Sequence, residues 1–167
     1  IQNLSKAVPE CEFIFTEWET LDITNKENVF DFFWQNEPSF CINAAAYTAV
    51  DLAETDVEKA FLVNANGTEN LAEACKEYNA QFIHISTDYV FDGENQLPYT
   101  EDDFTNPIGV YGASKLSGEE LALEVNPCTV ILRTSWVYSE FGKNFVKTML
   151  NLFAIKEELG IVADQFG

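Results

Sequence analysis

The chain predicts a doubly wound α/β fold, a parallel sheet with helices on both faces. Three observations predict it. Strand and helix patterns alternate along all 167 residues. The strand patterns are near-continuous apolar runs, as strands buried on both sides require. Small and hydroxylated residues follow three of them, at Ala44-Ala45-Ala46, Ser86-Thr87-Asp88 and Thr134-Ser135-Trp136. That is the carboxyl edge, where open parallel sheets take their ligands. With no repeat, linker or low-complexity tract, residues 1–167 read as a single domain.

The elements follow in order. Glu12-Phe13-Ile14-Phe15 reads as a short strand. Thr24 reads as the cap of a helix over Lys26 to Gln35, with Glu27 completing a capping box. Phe40 to Ala45, preceded by Pro38, is an apolar run and reads as a buried strand. Val57 to Tyr78 reads as one long helix, with Phe61, Ala65, Thr68, Leu71, Cys75 and Tyr78 on one stripe. Gly67 and Thr68 within it suggest close packing against the helix that starts at Tyr111. Phe82 to Ser86 is the next strand, and Asp88 to Asn106 a long polar loop of the kind that usually carries function. Tyr111 to Glu124 reads as a helix, Thr129 to Thr134 as a strand, and Asn144 to Phe153 as a final helix.

Composition narrows the function. The fraction of hydrophobic residues, 47%, argues for a packed domain. A net charge of −19 argues against non-specific nucleic-acid or anionic-membrane binding. No apolar run approaches the ~18 residues of a membrane span. The four cysteines lack metal-ligand spacing and read as free, mostly buried thiols, which suits a cytoplasmic location. The lone His84 lies in a strand pattern, so no metal site is expected.

Tyr111 and Lys115 are four residues apart, one turn along a helix face. An ammonium beside a phenol is expected to lower the phenol pKa from about 10. That would give a proton donor and acceptor usable near neutrality. The Thr87 hydroxyl could hold a carbonyl before that phenol. Together the three suggest a carbonyl reductase. The plainer readings are a solvated helix pair, a turn cap at Ser86-Thr87, a self-bonded Asp88, a turn residue at Asp22 and a core tryptophan at Trp136.

Ser86-Thr87-Asp88 followed by Tyr111-x-x-x-Lys115 resembles the extended short-chain dehydrogenase/reductases. Asn64-x-x-Gly67-Thr68-x-Asn70-Leu71 looks like the helix-four signature of that group. Asn43 to Asp51, Ser86 to Gly93, Leu132 to Tyr138 and Val162 to Gly167 are similar to the dTDP-4-dehydrorhamnose reductases. The resemblance implies an incomplete Rossmann-like sheet and reduction of a dTDP-sugar, at C4 of dTDP-4-dehydro-L-rhamnose, by NADPH or NADH. It implies Tyr111 as proton donor, Lys115 tuning Tyr111 and holding the nicotinamide ribose, and Thr87 bonding the substrate carbonyl. Asp88 and Trp136 border the sugar in this reading. Asp22 and Ile23 lie beside the adenine, and Ala45, Ala46 and Tyr47 line the cofactor. Around Phe15 to Trp18, Glu17 and Glu19 without an arginine lean towards NADH.

The family's glycine-rich phosphate turn is not in this sequence, and the family continues beyond Gly167 into a further lobe. The expectation is a piece carrying the middle of the enzyme, inactive by itself. Ile1 to Lys6 looks like the helix that follows the missing turn. Two other functions stay open at this point. One is a sister nucleotide-sugar reductase or epimerase. The other is a non-catalytic partner of methionine adenosyltransferase with the same fold. A homodimer is compatible with all of them.

Overall fold

The computed structural model describes residues 4–142 and 144–160. The closing block Val162 to Gly167 and the first three residues lie outside the described residues. A short helix, α1 (Leu4–Ala7), is followed by α2 (Lys26–Asn36), β1 (Phe40–Asn43), α3 (Val50–Ala53) and α4 (Val57–Phe61). Then come α5 (Gly67–Glu77), β2 (Gln81–Thr87), α6 (Val110–Val125), β3 (Val130–Thr134) and α7 (Phe145–Phe153). Among the described residues the sheet has three strands in the order β1-β2-β3, all parallel. Parallel pairing forces a crossover between neighbours. The stretch from α3 to α5 supplies one and α6 the other.

The strand register separates two faces. Phe82, His84 and Ser86 of β2 alternate towards the helices and are buried. Phe82 joins Val29, Phe33, Leu71, Cys75 and Ala122 in the main core beneath α2, α5 and α6. On the other face the aligned positions Phe40, Ile42, Ile83, Ile85, Val130 and Leu132 are apolar and only partly covered.

Several expectations are corrected. Glu12 to Phe15 forms no strand, because none of its backbone groups finds a ladder partner among the described residues. Asn25, not Thr24, caps α2, its side chain accepting from Asn28 N at 3.1 Å. Thr24 is turned back instead, its N–H and hydroxyl both donating to Asp22 Oδ1 at 2.9 and 2.7 Å. The long helix over Val57 to Tyr78 is broken by a π turn at Leu62–Asn66, which inserts one residue into the helical ladder. Gly67 faces the Ile23 side chain, where a Cβ would come within 2.8 Å, and not the helix carrying Tyr111. Of the four free cysteines, Cys75 is buried and Cys41 half-buried, while Cys11 and Cys128 are exposed. Both exposed thiols lie outside the strands and helices, in polar connections that offer no core to enter.

The residue that does let α6 approach closely is Gly118. A Cβ there would run into the backbone carbonyl of Asn64 in the π turn. Backbone cannot yield as a flexible side chain can. Gly118→Ala is therefore expected to destabilise the whole protein by about 3 kcal/mol, the upper range for overpacking. The check is a lower denaturant midpoint at unchanged m-value. An unchanged midpoint would contradict the packing described here.

Candidate active site

Three strand ends and the start of α6 enclose a cleft of about 280 Å³. Its walls include Ala44 and Ala46 after β1, Ser86 and Thr87 at the end of β2, Ser135 and Trp136 after β3, and Tyr111 and Lys115 from α6. The structure therefore brings Thr87, Asp88, Tyr111, Lys115, Ala46 and Trp136 together. Trp136 is half exposed, holds a left-handed φ of 49° and sets its ring edge against Phe145 at 5.5 Å. A core position for it is thereby excluded. Four expected residues lie off this wall. Ala45 donates its N–H to Asn43 Oδ1 at 3.1 Å. Tyr47 is tied at its backbone to Asn64. Asp22 bonds Thr24, and Ile23 is a core residue whose carbonyl accepts from Asn70 Nδ2 at 2.9 Å.

Thr87 ends β2 in extended geometry and caps a 3₁₀ turn, Asp88–Val90. Its hydroxyl donates to Asp88 Oδ1 at 3.1 Å and accepts from Tyr89 N at 3.3 Å. Asp88 is thus partly engaged by its neighbour. The Tyr89 ring meets Tyr111 edge-on at 5.5 Å. Gly112 seats the first turn of α6 there, since a Cβ would strike the Tyr89 carbonyl. The loop beyond is held by Asp92, which accepts from Tyr99 OH at 2.8 Å and Asn106 Nδ2 at 3.2 Å. Phe91 stacks on Tyr99, and Arg133 lies over Phe91 while bonding Glu119 of α6.

Burial sets the protonation states. It raises the Tyr111 phenol above its ordinary value; a hydrogen bond with Thr87 opposes this, and Asp88 and Tyr89 add to it. The expectation of a lowered tyrosine is reversed. The Lys115 amine is turned to Ile85 O at 2.8 Å and His84 Nε2 at 3.1 Å. At neutral pH the phenol keeps its proton, which is the donor form. Burial pushes Lys115 down to about 8, with Glu119 pulling it back up. His84 is pushed down to about 3, by burial first and by the Lys115 charge second.

Three residues of the site go beyond the sequence reading. His84 and Asn43 form a buried polar pair at 3.1 Å. Asn64 holds Tyr47 N and O and Ser114 Oγ through one side chain. The visible signal was a polar residue at two inward positions of an apolar strand, His84 and Ser86 beyond Phe82. The Ser86 hydroxyl is buried without a partner among the described residues and lines the cleft. An orphaned hydroxyl beside small side chains suits a flat polar ligand such as a nicotinamide nucleotide.

A parallel sheet with tyrosine and lysine of one helix at its carboxyl edge is the arrangement of the short-chain dehydrogenase/reductases. Residues 2–167 match the family described as the RmlD substrate binding domain, and the chain belongs to that family. It is similar to the dTDP-4-dehydrorhamnose reductase of Aggregatibacter actinomycetemcomitans, 49% identical over 93% of this chain and 53% of that protein. The reductase of Escherichia coli K12 is 47% identical over 87% of this chain and 49% of its own length. The crystal structure of a dTDP-4-dehydrorhamnose reductase from Clostridium acetobutylicum superposes with a TM-score of 0.93 at 44% identity, over 98% of this chain and 59% of that one. The Bacillus anthracis reductase, solved in complex with NADP, gives 0.93 at 41% over the same shares. The chain spans about half the length of the curated relatives it matches. Among the described residues no helix is long and apolar enough to cross a membrane.

His84 also predicts an acid response. An unfolded histidine binds its proton near 6.5 and the folded one near 3. Between those values the unfolded chain holds more protons, so stability falls as pH drops through the window. His84→Gln should flatten that fall by about 1.4 kcal/mol per pH unit. Urea unfolding of the whole protein above and within the window reads it. Equal slopes in both proteins would refute the buried neutral histidine.

Proposed function

We propose that the whole protein reduces the C4 ketone of dTDP-4-dehydro-L-rhamnose to dTDP-L-rhamnose with NADPH or NADH. The observation that carries this reading is a protonated Tyr111 hydrogen-bonded with Thr87 in the cleft at the strand ends. The names and close superposition of the relatives support the substrate. The NADP complex of the Bacillus anthracis relative supports the cofactor class.

The residues divide the work. A bound nicotinamide supplies the hydride. Ala45, Ala46 and Tyr47 would line its path, with Asp22 and the Ile23 backbone on the adenine side and Lys115 towards the ribose. Thr87 turns its hydroxyl from Asp88 to the substrate carbonyl, stabilising charge as it develops there. Tyr111 gives its proton to the forming alkoxide. A raised pKa suits this, because the proton is present at neutral pH and the alkoxide is the stronger base. Lys115, one turn along α6, offsets the charge left on the phenolate. Trp136 and Asp88 border the sugar.

Tyr111→Phe in the whole protein should lower kcat by about 10²–10⁴-fold with little change in sugar binding. Thr87→Val should cost about 10²–10³-fold, as removal of an oxyanion donor does. Cofactor oxidation at saturating dTDP-4-dehydro-L-rhamnose measures both. Undiminished turnover in Tyr111→Phe would remove Tyr111 from the reaction. No turnover in the parent protein would sink the reductase reading itself.

A further inference from the structure

Tyr111 is the second residue of α6, in the turn of a helix that frays most readily. Gly109 occupies the cap position of that turn and has no side chain to offer. Ser114 closes the far end of the turn, accepting from Asn64 Nδ2 at 2.9 Å and donating to the Tyr111 carbonyl at 2.8 Å. The near end is held from 56 residues away. Glu54, just past the end of α3, accepts from Val110 N at 2.8 Å. Among the described residues no other side chain bonds a first-turn N–H of α6. Gly109 makes room for it, since a Cβ there would lie 3.0 Å from Glu54 Oε1. The corner that presents Glu54 is itself fixed. Thr55 N and Asp56 N both donate to Leu52 O, at 3.1 and 3.0 Å, and Ala53 and Ala60 on either side are fully buried. Asp56 accepts from Tyr47 OH at 3.3 Å. One acidic corner thus meets both walls of the cleft, the segment that reaches it at Ala46 and Thr48 and the helix that brings Tyr111 to it.

We propose that Glu54 is a positioning residue for Tyr111, its carboxylate fixing the first turn of α6 through the Val110 N–H. The role depends on the reading of Tyr111 as proton donor. A carboxylate suits this place, because the N–H groups at a helix start lack partners and the dipole there is positive. Glu54 acts through place and not through charge. The groups that move the phenol are Thr87, Asp88 and Tyr89, together with burial. Glu54 is exposed, so removing it strands no buried group and the fold persists. What is released is the turn. Val110 N–H loses its acceptor, and the phenol is no longer held beside Thr87. An acid displaced by about 1 Å can lose about 10²-fold in rate, and a turn that frays only part of the time loses less.

The test uses the whole protein. Glu54→Ala should lower kcat by about tenfold, with KM for sugar and cofactor within about twofold of the parent. Glu54→Gln, whose amide oxygen can still accept from Val110 N, should recover most of that loss. Tyr111→Phe should be as slow alone as when combined with Glu54→Ala, because a residue that works through the phenol has nothing to position without it. A cap that served stability alone would lower the denaturant midpoint and leave kcat per folded molecule unchanged. That result overturns the proposal, as do losses that multiply in the double variant. Hydrogen exchange in the ligand-free protein reads the hold without turnover. The Val110 amide should exchange about tenfold faster in Glu54→Ala than in the parent, and near the parent rate in Glu54→Gln. Equal rates in all three overturn the proposal. If the parent reduces no sugar while these rates differ, the reductase reading falls and the hold on the turn stands. An active parent whose kcat and exchange are indifferent to Glu54→Ala keeps the reductase reading and removes this one.

Discussion

The structure depends on how closely α6 lies on the π turn. Gly118 brings the backbone of α6 against the Asn64 carbonyl, and nothing larger fits. At that distance Ser114 reaches the Asn64 amide at 2.9 Å. The same amide grips both backbone groups of Tyr47, at 2.8 and 3.1 Å. One buried side chain thus ties the loop after β1 to the helix carrying Tyr111 and Lys115. The π turn makes this possible. Its extra residue lets Asn64 and Thr68 meet α6 while Leu71 and Cys75, further along, still enter the core. A regular helix would satisfy one of those demands and miss the other. Asn64 and Ser114 are fully buried, so losing one strands the other without water.

That dependence explains what the sequence made legible. Apolar period and turn residues located every strand of the described sheet and the helices at Lys26, Tyr111 and Asn144, because those signals are local. Strand-end chemistry pointed to Thr87, Tyr111, Lys115 and Trp136, which line one cleft because parallel sheets present that edge. The break at Leu62–Asn66 left no local trace: the residues that Asn64 meets lie on α6, fifty residues on. The role of Gly67 was misplaced for the same reason, since spacing says that a contact is close but not with what. Glu12 to Phe15 has strand composition, yet a ladder needs a neighbour. The apolar residues of β1, β2 and β3 read as buried on both faces, and the described helices cover only one. Composition thus records an environment wider than the described residues supply.

The electrostatics of the site follow from the same burial. Tyr111 is pushed up, while Lys115 and His84 are pushed down. All three shifts favour the uncharged form. Tyr111 and His84 are uncharged at neutral pH, while Lys115, at about 8, still holds its proton and stands as a cation in a chain of net charge −19. Tyr111 and His84 thereby add no ion to the buried part of the site. The Lys115 cation lowers the barrier to an anionic ligand, which the surface as a whole repels, and among the described residues no carboxylate faces the cleft unengaged. Asp88 is bonded by Thr87, and Glu119 by Arg133. A phenolate formed at Tyr111 would face that ammonium one helical turn away. In a poorly solvated pocket such a pair is far less costly than either ion alone.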